Sequence, residues 1–238
     1  MMNSSYTTLS RQTGLMREMR VVANNIANSA TTGYRQEGLI FSEFVNSAPG
    51  RESISMSRAN IRNTSAEQGA LTETGGTFDL AIEGEAYFMV ETPQGQRLTR
   101  SGAFSPNAAG DLVTMDGYRV LDAGRAPVFV PADAKSINFG QDGTLSADGN
   151  PLGQIGLFVP EDVNTMVRED GVMFRVEGEI QDNFESRVHQ GFLEGSNVNA
   201  IGQITRMIEI QRAYEMGQSF LETEDQRVRS AISELMKS

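Results

Sequence analysis

Few residues in this sequence are suited to chemistry, and their spacing argues against most reactions. His189 is the only histidine and there is no cysteine. One imidazole without a thiolate or a second imidazole makes a poor zinc site and an isolated base. His189 is therefore expected at the surface or packed in place. The run Asp142-Gly-Thr-Leu-Ser-Ala-Asp148 superficially resembles a calcium loop. It lacks acids at the alternating positions and the closing bidentate Glu, so ordinary turns explain it better. Glu83, Glu85 and Glu91 suggest a general acid–base pair, yet charged strand faces account for them more simply. Gly75-Gly76 and Gly84 belong to no GxGxxG or GxxxxGK[ST] phosphate cradle, and no serine stands in GxSxG. Tryptophan is absent and aromatics make up 7% of the chain, which weakens a carbohydrate platform. The expectation is a non-enzyme with no catalytic residue, no cofactor-binding residue and no metal ligand.

The patterned residues are amides and apolar side chains. One stretch reads Ala23-Asn-Asn-Ile-Ala-Asn28-Ser-Ala-Thr-Thr32-Gly33-Tyr34-Arg35. Asn and Thr compete with the backbone for hydrogen bonds and favour caps and turns, and Gly33 can take the left-handed conformation that stops a helix. The plain reading is a polar helix terminus. The functional reading is that Asn side chains, with donor and acceptor together, lock helix against helix in one register, as a buried Asn does in a coiled coil.

These residues need long helices to position them. From Ser196 to Ser238, Ala200, Met207, Tyr214, Leu221, Val228 and Leu235 form an apolar row with a seven-residue period. A second row runs from Ile204 through Gln211, Gln218 and Asp225 to Ile232, apolar only at its ends. Asn199 is placed to cap this helix. About 38 helical residues would span about 57 Å, longer than a middle domain of about 40 Å that could bury them. At the other end, residues 2–28 read as a helix with Met2, Leu9, Met16 and Ala23 seven apart and Leu15, Met19, Val22 and Ile26 beside them. The expected helix-interface residues are Leu9, Met16, Met19, Ile26, Met207, Tyr214, Leu221, Val228 and Leu235.

Between the helices the pattern changes. Leu39, Ile40, Phe41, Phe44 and Val45 could close a short helix or strand, 46–50 reads as a turn, and 51–62 alternates weakly. All seven prolines lie from Pro49 to Pro160 with most glycines in the same region, and the strand candidates there, Val128–Val130 and Gly153–Val159 among them, are separated by Pro93-Gln94-Gly95, Asp116-Gly117, Asp142-Gly143 and Asp148-Gly149. Asp-Gly between apolar runs signals a hairpin, because the turn needs positive φ. The expected fold is α+β: paired long N- and C-terminal helices, coiled-coil-like, plus a central all-β domain. The expected boundaries are 1–35 for the N-terminal helix and Asn/Thr motif, 36–75 for a connector, 76–190 for the β-rich domain and 191–238 for the C-terminal helix.

Charge follows the same division. Residues 46–195 hold eleven basic and twenty-two acidic groups, the whole net charge of −11, while the two ends are nearly neutral. That suits ends packed at close quarters and a middle facing water. No basic patch exists to displace counterions, so nucleic acid is excluded as a partner. No apolar run is long enough to cross a membrane, and no signal-peptide pattern opens the chain. Composition alone would leave the protein in the cytoplasm.

The motifs resemble those of bacterial flagellar rod and hook proteins. Ala23–Asn28 with Thr31–Arg35 is similar to the family's N-terminal signature, and Leu71–Phe88, Arg97–Phe104 and Gly110–Tyr118 to its shared β-domain. Gly191–Asn199 and Met207–Glu215 are similar to its C-terminal signature. The motif residues carried over are Asn25, Asn28, Thr32, Gly33, Tyr34, Asn197, Asn199, Gln211, Arg212, Ala213 and Tyr214. The chain is too short for a hook protein and has the full β-domain that the smallest proximal-rod subunits largely lack. Its short linker at 46–62 favours a proximal-rod subunit over the distal-rod protein. The resemblance implies a structural subunit without cofactors. It implies export through the flagellar type III apparatus without a cleaved signal, and assembly in the periplasm with itself and other rod proteins. A distal-rod protein above and smaller proximal-rod subunits below are the implied neighbours. The β-domain would be the outer layer of a torque-transmitting tube around the export channel. Two other classes remain as alternatives: a coiled-coil adaptor with a β ligand-binding domain, and a cell-wall hydrolase using Glu83 or Glu85.

Overall fold

The computed structural model describes residues 2–46, 54–169 and 171–236. The chain divides into two compact units. The first comprises Met1–Ala27, Glu37–Ser65 and Asn199–Ser238, the second Asn28–Gln36 and Ala66–Val198.

The first unit contains helices α1 (Met2–Ala27) and α2 (Ala200–Leu235) and strands β1 (Glu37–Asn46) and β2 (Ile54–Thr64). No proline interrupts either helix. Asn199 caps α2 from extended backbone, its side-chain oxygen accepting the Gly202 N–H at 3.0 Å. The helices run antiparallel, because successive positions of α1 meet earlier positions of α2. Gln12 Nε2 donates to the Tyr214 carbonyl at 3.5 Å, Glu18 meets Arg206 at 2.6 Å, and Asn25 Nδ2 donates to Gln203 Oε1 at 3.3 Å.

The expected fold class requires correction. Two long helices paired as in a coiled coil, beside a separate all-β middle, do not describe this chain. The unit that holds both helices also holds a β-ribbon, in which β1 and β2 pair antiparallel with an irregularity at Ile40/Phe41, and both strands pack against α1. The β-branched and aromatic residues of 39–45 favour pleated backbone over helix. Nor is the seven-residue apolar row one buried seam. On α2 the better-covered side is Gln203, Met207, Ile210, Tyr214, Gly217, Leu221 and Glu224. Only part of the expected row lies there, and only Ile210 is fully buried. Past Glu224 every described α2 residue is exposed, Val228 and Leu235 included. The side chain of Met2, and those of Ile40, Phe41, Phe44 and Val45, lie outside the described residues, as does the expected turn beyond Asn46.

The second unit is antiparallel β structure. Its strands are β3 (Leu71–Glu73), β4 (Leu80–Glu83), β5 (Phe88–Thr92), β6 (Gly95–Thr99), β7 (Phe104–Pro106) and β8 (Leu112–Thr114). They continue with β9 (Arg119–Val120), β10 (Ile137–Phe139), β11 (Thr144–Ala147), β12 (Asn150–Gln154) and β13 (Phe158–Pro160). The last are β14 (Met166–Glu169), β15 (Met173–Val176), β16 (Ile180–Asp182), β17 (Arg187–Gln190) and β18 (Phe192–Glu194). Seven form one sheet in the order β14-β15-β6-β5-β9-β8-β7. β10-β11-β12 make a small meander, and β13-β16, β17-β4 and β18-β3 are two-stranded pairs.

β5 is central and buried on both faces, because alternate side chains of a strand point to opposite sides. Phe88 and Val90 enter one apolar cluster with Leu80, Ile82, Leu112 and Leu145. Tyr87 and Met89 enter another with Leu98, Phe158 and Phe174. The Asp-Gly turns behave as their chemistry requires: Asp148 (φ 50°) and Gly149 (φ 82°) both have positive φ and join β11 to β12. Two strand expectations differ in detail. Val128–Val130 makes only an isolated bridge, Phe129 to Asp111. The run Gly153–Val159 is split at Gly156, where a Cβ would fall on the Phe158 ring.

Candidate functional site

Two clusters gather the patterned residues, one in each unit. In the second unit the segment after α1 is zipped to the segment before α2. The Gly33 N–H donates to the Glu194 carbonyl at 2.7 Å, and Asn197 N–H to the Tyr34 carbonyl at 3.3 Å. Asn197 Oδ1 accepts the Gln36 N–H at 2.6 Å, while its Nδ2 donates to the Glu67 carbonyl at 2.7 Å. Gly33 has φ +70°, and a Cβ there would strike the Ser101 backbone nitrogen, so both conformation and space call for glycine.

Beneath this zipper lies a buried ion cluster. Arg35 and Glu194 are 1% exposed and Arg100 2%. Arg35 Nη2 lies 2.8 Å from Glu194 Oε1, and Arg100 Nη1 lies 3.1 Å from Oε2. The Arg35 Nη2 contact is a close ion pair without hydrogen-bond alignment. The Gly69 N–H donates to Glu194 Oε1 at 3.1 Å. Arg35 also donates to the carbonyls of Ala66 and Glu67, and Arg100 to those of Ile82 and Gly84. Burial pushes the Arg100 guanidinium below its ordinary pKa, and the Glu194 charge opposes that fall. Tyr34 is covered by the Arg168 guanidinium, 4.4 Å from its ring centre. With two cations sharing one carboxylate, the cluster holds chain segments together and offers no unoccupied base or nucleophile.

In the first unit Asn25 is 1% exposed. Its Nδ2 donates to the Glu37 carbonyl at 2.8 Å, and its Oδ1 accepts the Glu37 N–H at 3.0 Å. With the bond to Gln203 on α2, this one amide joins helix, helix and ribbon. Nearer the start of α1 the two helices part into a groove of about 320 Å³. α1 lines it with Thr8, Arg11, Gln12 and Leu15, and α2 with Ala213, Met216, Gly217 and Phe220.

The other expected residues fall as follows. Leu9 (55%) and Met16 (46%) are exposed, while Met19 and Ile26 are half-buried. Met207, Tyr214, Leu221 and Ala213 are half-buried, and Val228, Leu235, Gln211 and Arg212 are exposed. Asn28 and Thr32 are half-buried, and Asn28 Oδ1 accepts from the Thr31 hydroxyl at 3.2 Å. His189 Nε2 lies 2.8 Å from Glu83 Oε2, and Glu91 pairs with Arg119 at 2.8 Å. The Thr144 amide and hydroxyl bond Asp142 and hold its carboxyl below the usual range, as in an ordinary turn. Arg35, Arg100 and Glu194 were not singled out from sequence. The available signal was a lone acid inside Gly191-Phe-Leu-Glu-Gly195, a local context too apolar for a solvated carboxylate.

Buried charge spent on joining segments, and a long helix with apolar side chains in water, define a structural, assembling protein. Family models agree with that class over three stretches. Residues 6–35 match "Flagella basal body rod protein", residues 81–147 "Flagellar hook protein FlgE/F/G D1 domain", and residues 189–234 "Flagellar basal body rod FlgEFG protein C-terminal". Among relatives, the flagellar basal-body rod protein FlgF of Caulobacter vibrioides is 38% identical, the match covering 99% of this chain and 98% of that one. FlgF of Mesorhizobium japonicum is 38% identical over 90% of each chain. The rod protein FlgG of Agrobacterium fabrum is 35% identical over 92% of this chain and 94% of its own. The chain belongs to the flagellar basal-body rod protein family. It is a structural component of the flagellar basal body and serves motility.

Proposed function

We propose that the chain is a proximal-rod subunit, which assembles through its terminal helices into a helical tube that encloses the export channel and transmits torque. It is not an enzyme on this reading. It leaves the cell through the flagellar export apparatus without a cleaved signal and assembles in the periplasm. Its neighbours are its own copies, a distal-rod protein on one side and smaller proximal-rod subunits on the other. The full-length similarity to FlgF proteins supports the proximal position. The FlgG similarity makes the distal rod the second reading. The expected helix-interface and motif residues and the four sequence segments 1–35, 36–75, 76–190 and 191–238 are proposed as the working parts of this subunit.

The observation that carries the reading is α2. It is 36 residues long and one of them is buried. Ile201, Ile204, Ile208, Met216, Phe220, Val228, Ile232 and Leu235 are all exposed, the first at 79% and the last at 76%. An isolated helix gains little from propensity alone and depends on burying its apolar face. Apolar surface of this extent marks a contact with another chain. Non-closing, head-to-tail contacts between such faces generate helical tubes.

The test is deletion of the gene, with complementation by wild type or by Ile208→Asp, read by swimming and by electron cryotomography of the envelope. Ile208 is exposed, so the variant should fold as the isolated protein, which circular dichroism checks. Non-motile deletion cells without a completed rod, rescued by wild type and not by the variant, are the expected result. Motile deletion cells with intact rods overturn the reading.

A further inference from the structure

The loop between β16 and β17 holds an aromatic ring in water beside a cavity. The Asn183 N–H donates to the Leu157 carbonyl at 2.8 Å, and Asn183 Oδ1 accepts the Ser186 N–H at 2.8 Å. Ser186 is buried, and its Oγ accepts the Ala86 N–H at 3.2 Å. Both ends of the loop are thus pinned. Phe184 between them is 82% exposed, more than any other phenylalanine whose side chain is described. It lines a cavity of about 210 Å³ in which Ile155 and Leu157 form an apolar wall. Asp142 and Asp182 line the same cavity, and no basic residue does. Neither carboxylate is paired with a cation among the described residues. The Thr144 amide and hydroxyl hold Asp142 below the usual carboxylate range, so it stays charged. Arg125, two residues beyond the lining residue Ala123, donates to the Ile180 carbonyl at 3.1 Å.

We propose that this cavity of the β-unit receives an arginine side chain from a neighbouring protein other than this chain. The guanidinium stacks on the Phe184 ring and meets Asp142 and Asp182, while its aliphatic stem covers Ile155 and Leu157. Arginine fits better than lysine, because its planar head offers a face to the ring and two parallel donors to a carboxylate at once. The cavity is smaller than the about 300–1,000 Å³ of small-molecule sites and suits a single side chain. Charge selects the source. Residues 46–195 carry the whole net charge of −11, so the β-unit of a second copy brings the same sign and is repelled, whereas a basic surface is drawn in. The terminal helices take no part. The inference goes beyond the rod-subunit reading, from which it takes only the presence of neighbouring proteins.

The test places a photocrosslinker at the ring. The gene-deleted strain is complemented with Phe184→p-benzoylphenylalanine, which keeps an aromatic side chain there, and the cells are irradiated. The expected result is an adduct whose mass is not a multiple of 26.0 kDa, with an arginine in the partner peptide that carries the crosslink. Adding Asp142→Asn and Asp182→Asn should lower its yield about tenfold or more. An adduct at a multiple of 26.0 kDa makes the occupant a second copy and overturns the proposal. A partner peptide without arginine, a yield that survives both Asn changes, or no adduct from motile cells also overturns it. Should the crosslinking variant not assemble, nuclear magnetic resonance of the purified wild-type chain decides, with L-argininamide as the probe and L-citrullinamide as its uncharged analogue. Argininamide alone should shift the Phe184 and Asp182 signals. Equal shifts with both, or shifts no larger than at Asp116, an exposed acid on another turn, overturn the proposal. Intact rods in the deletion strain overturn the rod reading instead and leave the resonance experiment to decide this one.

Discussion

Replacing Glu194 by Gln is the sharpest test of what holds the second unit together. The carboxylate is 1% exposed and, among the described residues, is the one acid paired with both Arg35 at 2.8 Å and Arg100 at 3.1 Å. The amide has nearly the same shape, so no cavity confuses the result. It removes the charge and sets an NH₂ donor against a guanidinium or against the Gly69 N–H. Two buried cations then face each other without a counterion. Breaking a buried pair by removing one partner costs about 3–5 kcal/mol, because the remaining charge keeps its desolvation penalty. For a unit of this size, at about 2–4 °C per kcal/mol, the melting temperature should fall by about 6–20 °C. Burial already lowers the Arg100 pKa against the opposing pull of Glu194, so the same change should lower it further. Calorimetry of the purified protein reads the shift. Glu83→Gln is the control, since Glu83 is 59% exposed in its pair with His189 and such pairs contribute about 0–1 kcal/mol. A Glu194→Gln protein that melts within about 1 kcal/mol of wild type, or no lower than the Glu83 control, refutes the reasoning.

Two further changes probe other layers. Asn25→Ala removes both of its bonds to the Glu37 backbone from a buried site, so urea unfolding of the first unit should show a loss of about 1–3 kcal/mol. Hydrogen bonds from Arg175, with the Arg97 charge, hold Glu169 below its ordinary 4.5. A depressed carboxylate stabilises above its unfolded pKa, and that contribution is lost as pH falls through the lower folded value. Glu169→Gln should therefore flatten this part of the acid limb in a series of melts between about pH 2 and 7; an unchanged slope counts against the Arg97–Glu169–Arg175 network.

Local chemistry was legible where a residue's role depends on its neighbours in sequence. Asn199 caps α2 because Asn accepts the next turn's N–H, and Gly202 supplies it. Asp148-Gly149 turns because both positions tolerate positive φ. β5 was readable as a strand from its apolar residues, but not its burial on both faces, since that depends on distant residues packed on each side, such as Leu80 and Leu145 on one and Phe158 on the other. Three-residue strands such as β3, β7 and β18 are too short to show alternation, and only their partners define them. The coiled-coil-like reading failed for a related reason. A seven-residue row states that a face is apolar, not what covers it. Here the ribbon packs against α1, α1 covers part of α2, and the remainder of α2 is left to water.

By itself, then, the sequence determined two long helices, a turn-punctuated β region, nearly neutral ends with an acidic middle, and the motifs of a rod protein. All are properties of residue type and short-range spacing. Tertiary structure alone decided which charges are buried. Arg35, Arg100 and Glu194 are 65 or more residues from one another, and no local pattern pairs them. It also decided that Asn25 serves the Glu37 backbone as well as Gln203, and which side of α2 faces α1. Those outcomes depend on how distant segments meet, and the cost of an unpaired buried charge or amide is what selects the arrangement.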